Sequence, residues 1–170
     1  MSDTQKNVEA ASENYSAAFT EGHLALPPAK KYLVLTCMDA RIDPARAFGI
    51  GLGDAHVIRN AGASAVDALR SIVISQQLLG TQEIVLVKHT GCGMLTFTNE
   101  DANVIVDKNL GADASAELKS RNLDFLPFPE LEDAVRKDID FIRGTKLVPD
   151  STILSGWIYE VETGQTKRVI

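Results

Sequence analysis

A chain of 170 residues and 18.4 kDa, 45% hydrophobic with a mean hydropathy near zero, has the makeup of one soluble globular domain. That length is enough to bury roughly 70% of the surface its unfolded form exposes. The net charge of −6 provides no basic stripe for nucleic acid or an anionic bilayer, and no apolar run approaches a membrane span.

The opening residues Ser2-Asp3-Thr4-Gln5-Lys6 lack the apolar core of a signal peptide and the arginine-rich character of a transit peptide. A cytoplasmic protein with reduced thiols is therefore expected. Residues 4–20 read as a polar, alanine-rich helix with Val8, Ala11, Tyr15, Ala18 and Phe19 on one face. Gly22 and Pro27-Pro28 break it. Residues 1–29 thus form a helical arm, expected to bury its apolar stripe on a second copy of the chain, and residues 30–170 form a single α/β domain. In that domain Tyr32–Leu35, Ala55–Ile58 and Glu83–Val87 are short apolar runs rich in strand formers. Ser64 is a candidate N-cap, and Val66, Leu69, Ile72, Val73, Gln76 and Leu79 keep helical spacing as far as Gly80. Such alternation predicts a mainly parallel central sheet with helices on both faces. Residues 98–121 are polar and helical in pieces. Residues 129–143 form an amphipathic helix opened by Pro129, with Leu131, Val135, Ile139 and Ile142 on one face and Gly144 after it. A C-terminal β-hairpin follows, Thr152–Val161 and Thr166–Ile170, around a Glu162-Thr163-Gly164 turn.

The two cysteines of the chain each lie in a cluster of reactive side chains. Cys37 opens Cys37-Met38-Asp39-Ala40-Arg41, and Cys92 closes His89-Thr90-Gly91-Cys92. Each cluster directly follows a predicted strand, and in an open parallel sheet ligands bind beyond the carboxyl ends of the strands. Neighbouring strands would bring the clusters together across one crevice. Two sulfurs and an imidazole nitrogen suit Zn²⁺ rather than a hard cation. Three strong protein ligands with one exchangeable position mark a catalytic zinc; a fourth cysteine or histidine would mark a structural one. Asp39 can fill that position or accept a hydrogen bond from a zinc-bound hydroxide, and Arg41 can hold it ionised in a two-pronged pair. Zinc lowers the pKa of bound water to about 7 in favourable sites. Two thiolates donate more charge than imidazoles would, so an alkaline activity profile is expected.

Cys37-x-Asp39-x-Arg41, followed by His89-x-x-Cys92-Gly93, resembles the signature of the β-class carbonic anhydrases. Val57-Ile58-Arg59-Asn60-Ala61-Gly62 resembles the strand and turn after that family's first motif, and Gly156–Gly164 resembles its closing hairpin. The similarity runs over roughly residues 30–165 and is closest to the compact members. It implies zinc held by Cys37, His89 and Cys92, with Asp39 as fourth ligand only in a closed state, and an Asp39–Arg41 pair beside the metal. It further implies reversible hydration of carbon dioxide to bicarbonate by a homodimer or dimer of dimers. Val34 stands where members with a regulatory bicarbonate site carry tryptophan. Some relatives on this scaffold hydrolyse carbon disulfide or carbonyl sulfide instead.

Plainer readings exist for the same residues. The cysteines could be small buried hydrophobes, and Asp39 with Arg41 a pair that only fixes a loop. A thiol hydrolase with His89 as base and a structural zinc protein closed by Asp39 are the competing functions. His56 is expected to be packed and hydrogen-bonded, His23 exposed, Arg59 and Asn60 either occupied with local backbone or supporting the cleft without a catalytic part, and Asp54 a turn residue. The Gly49–Gly53 run lacks the lysine of a phosphate-binding loop.

Overall fold

The computed structural model describes residues 1–170. Helix α1 spans Asp3–Ala17, started by a Ser2–Gln5 capping box, and buries none of its residues. The chain joins the body where the Ala29 and Lys30 amides donate to the carbonyls of Gly53 and Asp54. Strand β1 (Tyr32–Cys37) leads into a loop and the short helix α2 (Pro44–Ala47), capped by Asp43. Strand β2 (Ala55–Asn60) follows, then a 3₁₀ turn over Ala61–Ala63. Helix α3 (Ala65–Val73), with Ser64 as N-cap, runs on through a π turn (Ile74–Leu78). Strand β3 (Glu83–His89), helices α4 (Asn99–Leu110), α5 (Ala112–Arg121) and α6 (Leu131–Gly144), and strands β4 (Ile153–Tyr159) and β5 (Thr166–Arg168) complete the chain. None of these helices is long and apolar enough to cross a membrane.

The five strands form one sheet in the order β2-β1-β3-β4-β5, parallel except for the last pair. Central parallel strands are buried on both faces, which is why β1 and β3 are nearly unbroken apolar runs. Leu33, Leu35, Ile84 and Leu86 meet α3 and α6 through Ala68, Ile72, Val135, Ile139 and Ile142. Val34 and Val87 face the other way, with Ile42, Met94 and Tyr159.

Several sequence expectations shift. All three strands run two residues further than their apolar cores, so Cys37 and His89 are the last residues of β1 and β3 and do not lie in loops after them. Both core helices pack on one face; the other is covered by α2 and the loop segments around Ile42 and Met94. The 98–121 stretch is two helices parted at Gly111, whose φ of +87° a side chain would resist. Pro129 precedes helix α6 by two residues, and Gly144 is its last residue. The first arm of the C-terminal hairpin is a full member of the central sheet, parallel to β3, and the second is only three residues long.

Candidate metal centre

Adjacent β1 and β3 end at the same level, so their carboxyl ends deliver both sequence clusters to one crevice. The Sγ atoms of Cys37 and Cys92 and a ring nitrogen of His89 lie within 4.8 Å of one another, and all three side chains are buried. Sulfurs about 2.3 Å from one tetrahedral zinc stand about 3.8 Å apart. A contraction of about 1 Å or less would therefore seat the ion.

His89 is oriented from behind. Its Nδ1 lies 2.8 Å from the Thr90 carbonyl, which can only accept, so Nδ1 carries the proton and Nε2 keeps a free lone pair. Nε2 is fully buried and has no hydrogen-bond partner. A native interior rarely leaves such an atom unpaired unless an ion or water belongs there.

The two cysteines shift one another's acidity in opposite directions. The neighbouring Cys92 sulfur draws the Cys37 thiol well below its usual range, against the opposing effect of burial. Proximity to Cys37, and then burial, push Cys92 up. Two buried sulfurs beside an unpartnered imidazole nitrogen are a donor set that a soft divalent cation fits. Zinc would satisfy all three groups and displace the protons of its thiol ligands.

Asp39 stands at the rim, its Oδ2 3.7 Å from His89 Nε2. Arg41 holds it three ways: backbone N–H to Oδ1 at 2.9 Å, Nε to Oδ1 at 2.9 Å and Nη2 to Oδ2 at 2.7 Å. The guanidinium and then the Arg41 amide keep the Asp39 carboxyl far below the usual carboxylate range. Arg41 Nη2 also donates to the Gly91 carbonyl at 2.9 Å, tying the two clusters together. All five site residues named from the sequence thus meet in one place.

Sequence reasoning left Thr90, Glu162 and Lys88 out of the site, and for Arg59 and Asn60 left support of the cleft as one of two readings. Arg59 donates to the carbonyls of Cys37 (3.0 Å) and Asp39 (2.7 Å), holding the first cluster from β2. Thr90 donates to Glu162 at 2.8 Å and accepts from the Val161 amide, which docks the β4–β5 turn onto the second cluster. Buried Lys88 was legible only as a charge inside an apolar strand. Asn60 brackets Ser64 with both side-chain atoms, and His56 bonds Ser75 at 2.8 Å. His23 is exposed, and Asp54 closes its turn on the Gly51 amide.

A mainly parallel sheet packed with helices, with a Cys-His-Cys cluster able to hold a metal ion at its strand ends, defines the class of protein, and comparison with known proteins narrows this further. The carbonic anhydrase family profile matches residues 32–166. The chain is 40% identical over 157 residues to β-carbonic anhydrase 1 of Mycobacterium bovis, covering 92% of this chain and 91% of that one. Carbonic anhydrase from Glaciozyma antarctica superposes with a TM-score of 0.94 at 44% identity, over 100% of both chains. A carbon disulfide hydrolase of Saccharolobus solfataricus is 32% identical over 175 residues, covering 92% of this chain and 84% of that one. The chain belongs to the β-class carbonic anhydrase family.

Proposed function

We propose that this protein is a zinc-dependent carbonic anhydrase that reversibly hydrates carbon dioxide to bicarbonate. The observation that carries the reading is the buried, unpartnered Nε2 of His89 facing two cysteine sulfurs, with the Asp39 carboxylate held at the rim. Cys37, His89 and Cys92 would hold the ion, and Thr90 would keep the His89 lone pair aimed at it. Zinc bound there supplies the Lewis acidity that makes water reactive near neutral pH.

The chain's own residues do the positioning. Asp39 is held ionised, so it accepts a hydrogen bond from the attacking water and does not remove its proton. That bond turns an oxygen lone pair towards the carbon of carbon dioxide. Arg41 fixes the direction of the acceptor by its two-pronged grip. The arrangement is an open one, because Asp39 would have to give up Arg41 to become a fourth ligand. Val34 is apolar and buried between Val57 and Val85, and offers no donor to a regulatory anion at that place.

In the same reading residues 30–170 are the catalytic domain of a cytoplasmic protein and residues 1–29 an arm. Val8, Tyr15, Phe19 and Leu26 of the arm are exposed apolar side chains, and we assign them to burial on a second copy in a homodimer or dimer of dimers. Deleting residues 1–29 should lower the assembly state measured by light scattering.

The test of function pairs zinc quantification with stopped-flow carbon dioxide hydration. One zinc per chain with rapid hydration supports the reading, and full activity without zinc overturns it. Similarity to carbon disulfide hydrolases supplies a second reading on the same scaffold. Sulfide release from carbon disulfide, without carbon dioxide hydration, would select it.

A further inference from the structure

Strand β3 buries one charged residue that this reaction does not use. Lys88, between Val87 and His89, is 2% exposed in the middle of the sheet. An ammonium that cannot reach water must find partners inside the protein. Lys88 Nζ finds the carbonyls of Gly62 at 2.7 Å and Ala63 at 3.2 Å, and Asp138 Oδ2 on α6 at 2.7 Å. It also stands 4.8 Å from the centre of the Phe128 ring. Successive strand residues face opposite ways, so His89 enters the cysteine pocket while Lys88 passes beneath the sheet to α6.

The partners gain meaning from what the 61–63 turn touches. Gly62 and Ala63 both have positive φ, +71° and +52°, and alanine adopts that region only where its surroundings impose it. A Cβ at Gly62 would fall 2.8 Å from Met94 Cγ and 3.1 Å from Phe128 Cε1, so the turn is seated against the segment that follows Cys92. Just before the turn, the Asn60 carbonyl accepts from the Met38 amide at 2.9 Å, beside Cys37.

We propose that Lys88 is a positioning residue for the metal centre: anchored by Asp138, it grips the Gly62 and Ala63 carbonyls and holds this turn against the segments that follow both cysteines, which fixes the two sulfurs. The proposal rests on the reading of Cys37, His89 and Cys92 as zinc ligands. Groups behind a metal's ligands set its affinity, and losing one typically costs 10–100-fold.

The experiment uses the full chain with zinc, and with cobalt(II) as a coloured substitute whose sulfur-to-metal absorption band reports thiolate geometry. Lys88→Met alone strands the Asp138 carboxylate, so it is combined with Asp138→Asn, which removes that charge. The double variant should melt near the wild-type temperature, bind zinc about tenfold or more weakly, and show a shifted cobalt band. A folded double variant with wild-type zinc affinity and an unmoved band overturns the proposal, because Lys88 would then only fill space. Should the double variant not fold, Lys88→Arg is read by the same two quantities, since a planar guanidinium cannot sit on both carbonyls as a compact ammonium does. Wild-type protein that binds no zinc overturns the ligand reading itself, a failure seen before any variant is made.

Discussion

Replacing Asp39 with asparagine isolates the orienting role assigned to that carboxylate. Arg41 now makes two hydrogen bonds to Oδ1 and one to Oδ2. Asparagine can keep its oxygen on the Oδ1 side and satisfy the first two. Its amide NH₂ then lies where Oδ2 was, a donor facing both Arg41 Nη2 and the pocket. The attacking water meets a donor in place of an acceptor. Loss of one preorganised polar group of this kind costs about 10²–10³ in rate, or roughly 2.7–4 kcal/mol. Stability should change little. Arg41 is 52% exposed, so solvent screens the weakened pair and the melting temperature should stay close to that of the wild type. Stopped-flow hydration on protein of measured zinc content should therefore show kcat/KM down by two to three orders of magnitude, with about one zinc per chain retained. Wild-type turnover in the zinc-loaded variant would remove Asp39 from the reaction. Loss of zinc with activity would make it a ligand and not an orienting group.

Other expectations follow from the same geometry. Cys37→Ser should abolish stoichiometric zinc binding, because a serine hydroxyl is a poor replacement for a buried thiolate; one tightly bound zinc and full activity in that variant would sink the ligand set. Hydration activity should climb between about pH 6.5 and 9 as the reactive water loses its proton. Asp39 adds no step in that window, since its carboxyl is ionised far below it, and a flat profile in zinc-loaded protein would count against the mechanism. Gly156→Ala is a stability prediction: its Cβ would fall 2.5 Å from Val135 Cγ1 and 2.8 Å from Ile170 Cγ2. Such overpacking costs about 1–3 kcal/mol and should lower the melting temperature by about 3–10 °C. An unshifted melting curve would show that α6 and the C-terminus yield freely.

Local pattern was legible wherever it is set by near neighbours. The apolar runs at Tyr32 and Glu83 announced buried parallel strands, and the periodicity of Leu131, Val135, Ile139 and Ile142 announced a helix with one buried face. Boundaries were less legible. The π turn after Val73 and the extension of β1 into Cys37 depend on hydrogen bonds to distant segments, which override local preference.

By itself the sequence determined the ligand chemistry: two sulfurs, one imidazole and an Asp-x-Arg pair, each cluster attached to a strand end. It could not say that those strands are neighbours, because pairing partners are chosen by burial across the whole sheet. Only the tertiary structure placed β1 beside β3, admitted β4 to the sheet as a parallel member, and brought Arg59 and Glu162 to the site. Lys88 shows the reason most clearly. Its place in the chain reveals only an awkward charge in an apolar strand, while its partners, Gly62 and Asp138, lie 26 residues before it and 50 after it and meet it only once the sheet and α6 have packed.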